Sequence, residues 1–214
     1  MHVACDVDGV LYRMPQACVD AIVDWVPATE LSADWVRELA RRRQGYEAET
    51  LVFWRDELGI PTKDFMKLID GVMDKAFGST EGRHQHQVNM DELIDQIDQG
   101  KHRIDLVTTC WSHRGDYFRR LRMAWAMALF PELPNGLIFC DPDESKADFA
   151  YDVLIDDNYD NCLAAWSSGR TAILIAQTYN EAEYAMHGDY PDFYRVPTLA
   201  AAFDLIDELE TDRD

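Results

Sequence analysis

The chain has 214 residues, of which 47% are apolar, with six Trp, nine Tyr and nine Phe, so a sizeable core is available and a disordered chain is excluded. Forty acids against twenty bases give a formal net charge of -20, which argues against a protein that binds DNA or RNA as a polymer. A small anionic ester can still enter a locally positive pocket. The five cysteines are odd in number, widely spaced and free of any CxxC, and they read as reduced thiols packed as small core residues. No basic leader followed by an apolar segment is present, and no apolar run is long enough to span a membrane, so a soluble, cytoplasmic protein is expected.

The first element is His2-Val3-Ala4-Cys5, a short apolar strand buried on both faces, stopped by Asp6, Asp8 and Gly9. Residues 15–43 read as helical, with a break at Pro27 and a second start capped by Ser32. Residues 47–58 and 62–77 read as two further helices, separated by Gly59-Ile60-Pro61. His84 and His86 then lie in a polar loop with no third ligand nearby, which favours a solvated loop over a metal site. Met90 to Gln99 is an amphipathic helix ended by Gly100.

From Ile104 the pattern alternates. Strands are expected at residues 104–109, 136–140, 152–155 and 171–176, with helices at 114–129, 158–167 and from Pro197-Thr198 to about Glu210. With the first strand this predicts an α/β fold: a parallel, Rossmann-like sheet of about five strands with helices on both faces. Residues 1–13 and 101–214 form the α/β core. The helical block 14–100 is too long for an ordinary crossover and reads as an inserted cap.

Four polar signals fall at strand ends or in loops beside them: Asp6 with Asp8, Thr108-Thr109, Lys146, and Asp156-Asp157. Singly each has a structural explanation, as turn acids, β-branched filler, a surface lysine and a helix cap. Together they fit one need. Carboxylates from two strands can hold a hard cation such as Mg²⁺ through oxygen ligands. One carboxylate is then placed to attack phosphorus, while a hydroxyl and an ammonium hold the phosphoryl oxygens. A second carboxylate can protonate the leaving oxygen and then activate water.

"DVDGV", the strand ending at Thr108, Lys146 in a loop and "VLIDDN" resemble the four motifs of the haloacid dehalogenase superfamily, over nearly the whole chain. Within it the chain is most similar to the 5′(3′)-deoxyribonucleotidase branch, through the Thr-Thr pair, Lys146 ten residues before Asp156, and Val10 after the first motif. The resemblance implies a Mg²⁺-dependent phosphomonoesterase acting on a small phosphorylated substrate, a nucleoside monophosphate. It implies Asp6 as nucleophile and metal ligand, and Asp8 as general acid/base with its backbone carbonyl on the metal. Thr108, assisted by Thr109, and Lys146 would hold the phosphoryl group. Asp157, ahead of Asp156, would be the late metal ligand.

In the cap, Trp54 beside Phe53 and Arg55 can stack on a base or fill a helix core. Trp111 and Arg114 lie just past the Thr-Thr strand and are candidates for sugar or phosphate contacts. Competing readings are a phosphatase for another small ester or for a nucleic-acid 3′-phosphate end, and a catalytically silent binding protein on the same scaffold. A signalling receiver domain uses similar residues, but the order of the acids and Lys146 and the inserted cap argue against it.

Overall fold

The protein is described from a computed structural model, which covers residues 1–25, 59–78, 87–109, 115–133, 136–141, 143–187 and 190–211. Its centre is a six-stranded parallel sheet of order β3-β2-β1-β4-β5-β6. The strands are β1 (His2–Asp6), β2 (Arg103–Thr109), β3 (Leu137–Cys140), β4 (Val153–Asp156), β5 (Thr171–Ile175) and β6 (Phe193–Val196). The described helices are α1 (Met14–Trp25), α2 (Thr62–Met73), α3 (Met90–Gln99), α4 (Gly115–Leu129), α5 (Tyr159–Ser167), α6 (Glu181–His187) and α7 (Leu199–Thr211). The parallel sheet and its helices are those expected, with β6 and α6 in addition. The helices expected at 33–43 and 47–58 lie outside the described residues.

The strands are apolar throughout because both faces of the sheet are covered. Val3 and Cys5 of β1 belong to the larger cluster, with Leu106, Ile155 and Ile173 and with Phe118, Trp125 and Phe203 from α4 and α7. Ala4, Leu154 and Leu174 face the other way, onto Tyr159, Cys162 and Ala165 of α5. This alternation follows from the two-residue period of a strand.

Register places the site. Asp6 lies opposite Val107 on β2, and Cys5 lies opposite Ile155 on β4. Asp6 and Asp156 therefore end their strands side by side, with Thr108 and Thr109 closing β2 next to them. The chain winds outward in both directions from β1, so this edge is the switch point where open α/β sheets hold ligands. The segment between β1 and β2 leaves and returns here: Tyr12 pairs antiparallel with Gln87, and the Val88 amide donates to Leu11 O at 2.9 Å. Helix α2 runs into a wider turn, Asp74–Gly78, whose Phe77 packs against Tyr12 and edge-on against Trp125 of α4. Helix α3 packs instead against α7, beside the sheet.

Candidate active site

At the end of β1 the chain turns sharply. Gly9 has φ +89°, its amide donates to Tyr12 O at 2.7 Å, and the Leu11 and Tyr12 amides both return to Val7 O. Glycine is required twice over here. The positive φ disfavours any side chain, and a Cβ would lie 1.9 Å from Asp157 Oδ2. The turn thus brings its backbone directly against the late acid pair.

Lys146 is carried by a short helical turn, Lys146–Asp148, whose Ser145 and Asp148 cap each other. Its buried ammonium lies 2.7 Å from Asp6 Oδ1 and 2.8 Å from Asp156 Oδ2. Asp156 also accepts from the Asn158 amide at 2.8 Å and from Asn161 Nδ2 at 3.0 Å. Asp157 accepts from the Tyr179 hydroxyl on Oδ2, while Asn180 Nδ2 holds its carbonyl at 2.8 Å. Carboxylate oxygens of Asp6, Asp156 and Asp157 all lie within 4.8 Å of one another, and all three residues are buried.

The charges do not balance. Three carboxylates meet one ammonium, which leaves an excess of negative charge away from water. Burial pushes Asp6 up to about 7 against the pull of Lys146, and the charges of Asp156 and Asp8 add to the rise. Burial, with the charges of Asp156 and Asp6, likewise raises Asp157 well above the usual carboxylate range. Burial pulls Lys146 the other way, but Asp156 and Asp6 outweigh it and keep the ammonium charged. A hard divalent cation fits this oxygen-only donor set and would relieve the repulsion. Asp156 is already held by Lys146, Asn158 and Asn161, so Asp6 and Asp157 are better placed to be its ligands. Burial also raises the Cys5 and Cys162 thiols beside the site, which keeps them protonated and makes them poor nucleophiles.

Asp8 points elsewhere. Its Oδ2 accepts from Arg122 Nη2 at 2.6 Å, and its Oδ1 has no hydrogen-bond partner. Thr108 is fully buried, and its hydroxyl oxygen accepts from Arg122 Nη1. Thr109 closes β2 and offers its carbonyl to the same nitrogen at 3.4 Å. The structure therefore gathers Asp6, Asp8, Thr108, Thr109, Lys146, Asp156 and Asp157 at one edge of the sheet. Trp54, Trp111 and Arg114 lie outside the described residues. Two neighbours were not singled out by the sequence reading. Arg122 sits on α4 at the spacing of Phe118, Trp125 and Ala126, and that apolar stripe was a usable signal. Tyr179 follows β5 in a short helical turn and carried no comparable signal.

No family model matches this sequence, and no curated protein matches it. Solved structures do. A conserved haloacid dehalogenase-like protein of unknown function from Agrobacterium tumefaciens superposes with a TM-score of 0.61 at 13% identity, covering 97% of this chain and 98% of that one. A HAD family hydrolase from Deinococcus radiodurans, with bound phosphate and sodium, gives 0.58 at 16% identity over 94% and 92% of the two chains. A HAD hydrolase of family IA, variant 3, from Entamoeba histolytica gives 0.55 at 15% identity over 92% of each. At these identities the likeness is one of fold, and the chain has the fold of the haloacid dehalogenase-like hydrolases.

Proposed function

We propose that this protein is a Mg²⁺-dependent phosphomonoesterase working through an aspartyl-phosphate on Asp6. The observation that carries the reading is the buried Asp6–Lys146–Asp156 arrangement with Asp157 beside it, at the switch point of the sheet. Asp6 attacks phosphorus, and the bond from phosphorus to the ester oxygen breaks. Asp8 gives that oxygen its proton. Asp8 then takes a proton from water, which attacks phosphorus, breaks the bond to Asp6 and releases inorganic phosphate. Thr108, Thr109 and Lys146 hold the phosphoryl oxygens throughout. Asp6, Asp157 and the Asp8 carbonyl would hold the cation, which would supply neutralising charge between the nucleophile and the phosphate. The insertion at 14–100 acts as the cap that selects substrate, with Trp54, Trp111 and Arg114 as candidate contacts.

Within this class we favour a nucleoside monophosphate as substrate. Support comes from the likeness of the Thr108-Thr109 pair and the Lys146–Asp156 spacing to the deoxyribonucleotidase branch. We place the enzyme in the cytoplasm, since Cys5, Cys18, Cys140 and Cys162 are buried and unpaired. No helix among the described residues is long and apolar enough to cross a membrane. The test is phosphate release from p-nitrophenyl phosphate and from a panel of nucleoside 5′- and 3′-monophosphates and sugar phosphates, in EDTA and in Mg²⁺. Hydrolysis restored by Mg²⁺, with nucleotides preferred, is the expected result. Full activity in chelator overturns the mechanism, and preference for a sugar phosphate overturns the substrate.

A further inference from the structure

Arg122 is one of the largest fully enclosed side chains in the protein, with 2% of its surface exposed. A buried guanidinium costs several kcal/mol in lost hydration, so each of its hydrogen bonds counts. Its fork is shared out in a particular way. Nη2 donates to Asp8 Oδ2 at 2.6 Å and lies 3.6 Å from Met73 Sδ. Nη1 donates to the Thr108 hydroxyl and to Thr109 O. The flat face stacks on the Phe77 ring, 4.7 Å from its centroid. One cation thus touches three of the residues assigned to phosphoryl transfer, Asp8, Thr108 and Thr109, and is backed by the turn that follows α2.

Arginine donates and never accepts. With its oxygen accepting from Nη1, the Thr108 hydroxyl must send its single proton elsewhere. Thr108 lies one residue past Val107, the partner of Asp6, at the same carboxyl end of the sheet, which leaves that proton free to turn toward the phosphoryl position proposed there. The same fork engages one oxygen of Asp8 and leaves Oδ1 without a hydrogen-bond partner. That oxygen, buried and not engaged by the fork, is the one left to exchange a proton with the leaving group and the attacking water inside the closed site. Were Arg122 serving packing alone, an apolar side chain between Phe77 and Met73 would avoid the hydration cost.

We infer that Arg122 is a positioning residue for phosphoryl transfer, orienting the Thr108 hydroxyl as a donor to the phosphoryl group and presenting Asp8 Oδ1 to the leaving oxygen. This rests on the phosphatase reading. It goes beyond the four sequence motifs, which do not include this residue.

The experiment compares wild type, Arg122→Lys, Arg122→Met, Asp8→Asn and the Asp8→Asn/Arg122→Lys double variant. Lysine keeps the charge and is the variant expected to fold, but a single ammonium cannot fork to both partners. The readouts are kcat/KM for p-nitrophenyl phosphate and for an alkyl phosphate, and the affinity for inorganic phosphate by calorimetry with Mg²⁺. The alkyl ester needs a proton on its leaving oxygen, and the nitrophenyl ester barely does. Arg122→Lys should lose about 10²-fold on the alkyl phosphate and much less on the nitrophenyl ester. It should weaken phosphate binding about tenfold, the equivalent of one hydrogen bond. In the Asp8→Asn background the leaving-group-selective part of the loss should vanish, because the two residues act together. Equal losses on both esters with phosphate affinity unchanged, in a variant whose Tm has merely fallen, would overturn the inference while leaving the phosphatase reading intact. A wild-type protein without Mg²⁺-dependent hydrolysis would overturn the reading and the inference together.

Discussion

Among the described residues, two clusters hold metal-type side chains within 4.8 Å of one another, and only one of them is buried with unbalanced charge. The first is Asp6, Asp156 and Asp157, all buried at the carboxyl ends of β1 and β4. The second is His102, Asp207 and Glu210, where the turn before β2 meets α7. In the second, Lys101 lies 2.5 Å from Asp207, His102 Nε2 lies 2.9 Å from it, and the Met1 amino group lies 2.7 Å from Glu210. Hydrogen bonds from Lys101 and from the Met1 amino group hold Asp207 and Glu210 below the usual carboxylate range. In the first cluster burial raises Asp6 and Asp157 instead, because a single ammonium serves three acids. Acid clustering alone therefore says little. Burial with an unbalanced charge is what calls for a cation.

The sharpest way to break this contrast is Asp6→Asn. An amide cannot attack phosphorus, so turnover should drop to background in steady-state assays, although the fold should survive because one of several repelling carboxylates has gone. Gly9→Ala should come next. A methyl group placed 1.9 Å from Asp157 Oδ2 at φ +89° forces the turn away from the acid pair. Strain of about 1–3 kcal/mol is typical for such a backbone, so a loss of Mg²⁺ affinity of about 10- to 100-fold is expected in calorimetric titration. Unchanged affinity would show that the turn and Asp157 are not coupled.

A smaller effect concerns pH. Asp6 rises from its ordinary value to about 7 in the folded chain. A carboxyl with a raised folded pKa favours the fold while protonated, fully so below its unfolded value. That contribution is lost as pH rises through about 7. In EDTA the Tm should therefore fall between pH 5 and pH 8, with a flatter slope for Asp6→Asn. Added Mg²⁺ should raise the Tm more at pH 8 than at pH 5. An equal rise at both values would contradict the charge argument. The smallest effect is expected at the other cluster. Asp207→Asn removes a half-exposed ion pair, worth less than about 1 kcal/mol. It should leave hydrolysis and Mg²⁺ affinity at wild-type levels, and a loss in either would erase the contrast.

The parts legible in the sequence are those whose neighbours lie close along the chain. Asp6 and Asp8 interrupt an apolar run, and Asp156-Asp157 end another, so the strand ends announced themselves. Arg122 was hidden because Arg119 and Arg120 precede it on α4, and an arginine among others reads as solvated. Only its place in the Phe118–Trp125–Ala126 stripe separates it, and its partners Asp8 and Met73 lie far away in sequence. The sixth strand was missed for a similar reason. Phe193–Val196 is four residues long, carries Arg195 and lies between Pro191 and Pro197, and it becomes a strand by pairing with β5 at the edge of the sheet. Ion-pair partners are likewise set by the fold: Lys146 was marked by its spacing from Asp156, but its contact with Asp6 follows from strand order.

The most direct test of the central claim is trapping with fluoroberyllate in Mg²⁺, read by fluorine NMR and by crystallography of the adduct. An adduct on Asp6 in wild type, absent from Asp6→Asn and dispersed by EDTA, is the predicted result. An adduct on Asp8 or any other residue, or none in a protein that hydrolyses p-nitrophenyl phosphate, would contradict the account.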